Sequence, residues 1–310
     1  MKKKGKGQII SLLMLLLATV IWGAAFVAQQ AGTVLPFFTF NSSRSLIAAA
    51  VLLPAALFSR NRDRKEGRHY STKVQVTGGI VCGILLAVAT TCQQAGMTVN
   101  AGDPANVSKA GFITALYIVI VPILGIFFGH RPGWPHWIGV CMAGAGLYML
   151  SVSGGFAVAP GDLLLMGCAL AFSFHILILS RIANRVNGML LSFTQFLVTG
   201  VLTGIGALIF DRASWSDILG VIWPLLYMGV VSSGVAYTLQ IFAQKALDPT
   251  VATLVMSLES VFAALFGFLL LNETLTPREL AGCCLVFGAV LLAQFADPIK
   301  AFLEKKFKRQ

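Results

Sequence analysis

Ten apolar segments, each near the length of a membrane span, divide the chain and leave little between them. They run over about 9–29, 39–58, 74–98, 105–128, 134–152, 162–183, 189–210, 218–243, 250–271 and 279–296. A helix of about 20 apolar residues crosses the roughly 30 Å of bilayer hydrocarbon. Lipid offers no hydrogen bonds, so a segment of this kind satisfies its backbone internally, as a helix. Barrel strands would be about 10 residues long with alternating polarity; these runs are too long and too evenly apolar. The longest polar stretch, SRNRDRKEGRHYSTK from Ser59 to Lys73, is too short for an extramembrane domain. The pattern predicts an all-α integral membrane protein of ten transmembrane helices.

Composition agrees. Apolar residues make up 57% of the chain and charged residues 11%, against about 45–50% and 25% in soluble domains. The net charge of +11 could suggest a nucleic-acid partner, but the charges cluster at the ends of apolar spans, and none is expected. Instead they set orientation. With the N-terminus in the cytoplasm, nineteen of the 23 Lys and Arg fall inside. Only Arg212 and Arg278 fall outside, and Arg44 and Lys109 lie within spans. Both termini are therefore expected in the cytoplasm, with the chain crossing the cytoplasmic (inner) membrane and lipid around it. The start, MKKKGKGQIISLLMLLLATVIWGAAF, has the order of a signal peptide. Its apolar part is longer than the usual 7–15 residues, so it reads as a retained first span.

The chain also repeats itself. One stretch opens with Asp-Pro at Asp103 and another at Asp248, about 145 residues apart. Each continues as a long apolar span, a short turn with proline (Pro132, Pro277) and a second span rich in small residues. Five spans per half is an odd number, so the second half runs upside down relative to the first. Two inverted five-helix repeats are expected, over 1–155 and 156–310, with a substrate site between them near the midplane.

Several stretches resemble the EamA-type branch of the drug/metabolite transporter superfamily. They are IWGAAFV from Ile21, Arg44 in NSSRSLIAAAVLL, KAGFITALYIVIVPILG from Lys109, and SLESVFAALFGFLLLNETLTPRELAG from Ser257. Ser260 stands where that family often has proline. The resemblance implies ten helices in two inverted repeats, no cofactor, and alternating-access movement of small metabolites.

Ionisable groups inside spans are costly, about 3 kcal/mol or more at the bilayer centre, and mark candidate sites. Glu259 and His175 lie near mid-span, and Arg44 and Lys109 four or five residues inside the outer ends. All four are candidates to line a polar cavity. Snorkelling of Arg44 and Lys109, a neutral His175 bonded between helices, and a purely structural Glu259 are the competing readings. Trp22, Tyr117 and Tyr237 could supply apolar walls with polar tips, and Gln93 a neutral hydrogen-bonding group; Gln94 and Gln240 have the same chemistry. Glycine pairs four apart (Gly79/Gly83, Gly125/Gly129, Gly200/Gly204) are expected to let helices pack closely. The six Cys lie in apolar stretches without metal-site spacing and read as small buried hydrophobes.

No Walker motif, metal cluster or catalytic triad is evident, so neither cofactor nor metal nor enzymatic activity is expected. The chain reads as a secondary transporter or facilitator of a small organic metabolite, an exporter of amino acids or related compounds, acting as a monomer or weak homodimer. The alternatives are a proton-coupled exporter of lipophilic drugs, with Glu259 carrying the proton, and a non-transporting lipid-handling membrane protein.

Overall fold

The computed structural model describes residues 2–101, 106–130, 132–151, 159–271 and 276–294. Among these there is no strand. The first half holds α1 (Lys2–Ala31), α2 (Phe37–Lys65), α3 (Thr72–Val99), α4 (Asn106–Thr114), α5 (Tyr117–Phe127) and α6 (Trp134–Ser151). The second holds α7 (Pro160–Ile182), α8 (Gly188–Phe210), the short α9 (Trp215–Gly220) and α10 (Ile222–Leu226), a π-helical stretch Tyr227–Ala236, α11 (Tyr237–Ala243), α12 (Pro249–Met256), α13 (Leu258–Leu271) and α14 (Pro277–Gln294).

Among the described residues, eight helical runs are long and apolar enough to cross a bilayer, against the ten expected. The fifth and tenth expected spans correspond to α6 and α14, of 18 residues each. Their expected last residues fall outside the described set. So do the Asp103–Pro104 start, the 272–275 turn and the basic 300–309 tail.

Local chemistry sets the helix ends. Asn187 caps α8, its side chain accepting from Leu190 N at 2.9 Å. Asp248 caps α12 and is followed by Pro249 at the first helical position. Thr276 and Glu279 cap α14 reciprocally. Gly129 follows α5 with φ +86°, a left-handed position that glycine adopts without strain. It is therefore a terminator, and the Gly125/Gly129 pair does not mark a helix contact.

The other two pairs do. A Cβ on Gly79 or Gly83 would lie 2.6 Å from Thr194 or Val198 of α8. One on Gly200 or Gly204 would lie 2.8–3.0 Å from Leu46 or Ser42 of α2. Such contacts bring helix backbones together where lipid supplies no hydrophobic drive between them.

The packing has a regularity. Helix α2 lies along α8, α6 along α14, α3 along α7 and α8, and α1 along α13 and the Tyr227–Ala243 run. Exchanging the halves span for span maps α2–α8 and α6–α14 onto themselves. It maps α3–α8 onto α2 with the π stretch, α3–α7 onto α1 with that same run, and α1–α13 onto α7 with α4 and α5. Each of these pairs is also in contact.

Three spans are interrupted. The fourth breaks between α4 and α5, where Leu116 N bonds Ile113 O and Ile118 N bonds Ala115 O, a local tightening. The ninth breaks at Ser257, whose hydroxyl bonds back to Leu254 O at 2.7 Å, as Thr253 does to Thr250 O. Back-bonding of this kind bends helices. The eighth carries the π stretch, and Gly229 within it lies against the backbone of Arg44, whose O would be 3.0 Å from an added Cβ.

Gly23 is also tightly packed: a Cβ there would meet Phe262 Cβ at 2.4 Å and its backbone carbon at 2.8 Å. Gly23→Leu is expected to push α1 off α13. Its cost, about 2 kcal/mol or more, would appear as a lowered thermal midpoint of the purified protein. An unchanged midpoint would show the contact to be loose.

Candidate functional site

All three interruptions face one cavity. It is lined from α1 by Trp22, Ala25, Phe26 and Gln29, from α2 by Arg44 and from α3 by Gln93. Thr114 and Tyr117 flank the fourth-span break, and Met256 and Glu259 flank the ninth-span break. Phe172, Met228, Ser232, Tyr237 and Gln240 complete it. Its volume is about 40 Å³. That is a narrow, hydratable waist.

The α1 contribution follows from helical spacing, since Trp22, Phe26 and Gln29 fall on one face. Gln29 Nε2 donates to Gln93 Oε1 at 3.0 Å, and Gln93 Nε2 to Thr114 Oγ1 at 3.3 Å. Gln94 Nε2 donates to Gln29 O at 3.3 Å behind them. This amide chain ties α1, α3 and α4 together without charge. Trp22 and Tyr237 meet edge to face at 5.0 Å and form an aromatic wall.

Two ionisable side chains of opposite type share the cavity. Glu259 is 6% exposed and accepts from Tyr117 Oη at 2.8 Å. Arg44 is 4% exposed, with its guanidinium carbon 5.9 Å from the centre of the Phe40 ring. The ion pairs among the described residues include neither Arg44 nor Glu259. A buried charge is stable only with a partner or with water, so each is an open half-site. Two further cavity atoms, Trp22 Nε1 and Gln240 Oε1, are buried without a protein partner. They offer one donor and one acceptor. The arrangement can hold a molecule carrying both an anionic and a cationic group against apolar walls.

Of the eight residues singled out from sequence, Glu259, Arg44, Trp22, Tyr117, Gln93 and Tyr237 meet at this cavity. His175 and Lys109 do not. His175 is fully buried behind Tyr237, its Nε2 at 3.3 Å from Gln195 Oε1. Lys109 Nζ lies 2.7 Å from Asp162 Oδ2, and Asn100 Nδ2 donates to Asp162 Oδ1 at 2.9 Å. Lys109 thus joins the ends of α3, α4 and α7, where the sequence reading had it lining the cavity.

Sequence reading missed Phe26, Gln29, Thr114, Phe172, Ser232 and the methionines. Spacing from Trp22 could have found the first two. The 145-residue offset that pairs Asp103 with Asp248 sets Thr114 against Glu259, and could have found the third. Ser260, at the position where proline was noted as common, donates to Gly111 O at 3.1 Å and clasps α13 to α4.

The sequence model of the EamA-like transporter family matches residues 9–152 and 159–295. A protein of Archaeoglobus fulgidus described as an uncharacterized transporter is 31% identical over 295 residues, covering 93% of this chain and 87% of that one. The threonine/homoserine exporter RhtA of Escherichia coli (strain K12) is 27% identical over 208 residues, covering 64% and 65%. A solved crystal structure superposes with a TM-score of 0.72 at 20% identity, covering 92% of this chain and 96% of that one. At that identity it speaks for the fold alone.

Proposed function

This chain belongs to the EamA-like transporter family, and from that premise we propose that it moves small zwitterionic metabolites, amino acids or close relatives, out of the cell by alternating access. One observation carries the reading: Arg44 and Glu259 face the same buried cavity without pairing with each other. A cargo carboxylate at Arg44 and a cargo ammonium at Glu259 would satisfy both. A lipophilic cation would leave Arg44 without a partner, which disfavours the drug-exporter reading. RhtA, named for threonine and homoserine, supports the amino-acid class.

Two inverted repeats, about 1–155 and 156–310, suit this mechanism. The double match of the family model and the packing that maps onto itself support that organisation. Both termini belong in the cytoplasm on the charge distribution. A membrane-impermeant thiol reagent is expected to label Ser214→Cys in intact cells and to miss Ser71→Cys. The reverse pattern would overturn the orientation and, with it, the inversion.

The cargo reading is tested by counterflow in proteoliposomes across a panel of neutral amino acids, their decarboxylated amines and lipophilic cations. Saturable exchange of at least one amino acid, with no exchange of the lipophilic cations, is expected. Exchange of the cations alone would overturn it.

A further inference from the structure

At the end of the bundle where α2 stops and α3 and α8 begin, two adjoining grooves share Asp63, Arg68, Tyr70 and Asn187. Their volumes are about 330 and 370 Å³, far more than that of the central waist. Their rims carry Arg60, Arg62, Arg64, Arg68 and Lys245 against a single carboxylate, Asp63. That carboxylate is already engaged. Asn187 Nδ2 donates to it and Arg68 lies 3.7 Å away. Glu66, outside the grooves, pairs with Arg62 at 3.0 Å and with Arg68. The rim keeps a surplus of positive charge.

Lys245 borders the same rim. Its ammonium is half-buried beyond the end of the eighth span, with Nζ 5.0 Å from the centre of the Phe242 ring. Burial pulls its pKa below the ordinary lysine value; Asp63 opposes this and Arg68 adds to it. An anion between Arg68 and Lys245 would offset what burial costs the ammonium.

Each groove also has an apolar part to its lining. Phe58, Met189 and Phe242 line one, and Val76 and Leu190 the other. Phe58 is 71% exposed on the outward side of α2. A free anion would fill the rim and leave this foot bare. A phospholipid would cover both, with its phosphate among the cations and an acyl chain against the foot.

We propose that these grooves bind an anionic phospholipid, its phosphate held by Arg62, Arg68 and Lys245 and its chain lying against Phe58 and Met189. Polybasic segments beside a membrane span attract anionic headgroups. The groove adds shape and a hydrophobic wall to that attraction. The site sits where Gln75 of α3 and Asn187 of α8 are hydrogen-bonded to each other and to the end of α2, so an occupant would brace three helices. The inference rests on the chain being a membrane protein and not on its cargo.

The test is native mass spectrometry of the full-length protein in detergent with equimolar phosphatidylglycerol and phosphatidylcholine. Wild type is expected to retain phosphatidylglycerol in clear excess. Arg68→Gln with Lys245→Gln should lower that ratio about 25-fold, from about fivefold for each cation removed near a membrane surface. Arg212→Gln with Arg278→Gln removes equal charge at residues that line neither groove and should leave it unchanged. If the first pair fails to fold, Arg60→Gln with Arg64→Gln keeps the partners of Asp63 and should lower the ratio in the same sense. No preference in wild type, or equal losses in groove and control variants, would overturn the proposal. So would full displacement of phosphatidylglycerol by inorganic phosphate, which would mark a free-anion site.

Discussion

Glu259→Gln is expected to abolish amino-acid flux in reconstituted vesicles while the protein still inserts and folds. Glutamine keeps the size of the side chain and can still accept the Tyr117 hydroxyl, now at 2.8 Å from the carboxylate. What it loses is the charge. If a cargo ammonium meets that carboxylate, the lost contact is worth a few kcal/mol, or at least about 30-fold in affinity. Tyr117→Phe is the complement: it removes the hydrogen bond and keeps the charge, and should cost less than about tenfold. If Glu259 carries a proton instead, the glutamine variant would still exchange cargo for cargo but lose the pH dependence of net flux. If it only clamps helices, flux would survive nearly intact. Normal net flux in Glu259→Gln would move the site elsewhere.

The Tyr117–Glu259 bond also bears on how cargo could drive movement. It joins the residues just past the fourth-span break and the ninth-span break, one from each half of the chain. A cargo ammonium at Glu259 competes with the Tyr117 hydroxyl for the same carboxylate. Occupancy would then alter a side-chain bond that spans both interruptions, at the point where the helices are least regular. A ligand shifts an equilibrium only through contacts that differ between states, and this bond is a candidate for such a contact.

The sequence announces depth more readily than rotation. Hydropathy alone puts Glu259 and His175 near mid-span, and both are deeply buried. Nothing in it says that Phe172 turns into the cavity while His175, one turn on, turns behind Tyr237. Helix rotation depends on which neighbours pack where, and that is set by close approaches such as Gly23 on Phe262. Lys109 shows the same limit: its partner Asp162 lies in the other half of the chain, and a snorkelling lysine and a latched one look alike in sequence. The π stretch Tyr227–Ala236 has no signature in hydropathy either. By contrast, the α1 face Trp22–Phe26–Gln29 and the Thr114–Glu259 correspondence were both legible, the first from helical period and the second from the repeat offset. The repeat therefore carries information about asymmetry as well. The 145-residue offset sets the Thr114 hydroxyl against the Glu259 carboxylate, so the two sides of the cavity differ in charge-bearing chemistry.

Arg44 supplies the opposite pole, and its replacement should change what the protein prefers to carry. The guanidinium is buried, faces the cavity, and lies over the Phe40 ring. The backbone at Arg44 packs on Gly229, but the side chain does not make that contact, so glutamine should leave the α2 packing in place. For a zwitterionic cargo, Arg44→Gln removes the partner of the carboxylate and should weaken transport at least about 30-fold. For the matching decarboxylated amine the sign reverses. Wild-type Arg44 repels a cation that brings no carboxylate, and removing it should leave flux of the amine unchanged or raised. Arg44→Lys keeps the charge but not the planar fork that grips a carboxylate with two parallel bonds, and should recover only part of the loss. Competition between an amino acid and its amine in the same vesicles reads the ratio directly, independent of how much protein was reconstituted. A ratio that stays constant from wild type to Arg44→Gln, or a parallel loss of folded protein and of both fluxes, would show that the guanidinium holds the helices together and meets no cargo.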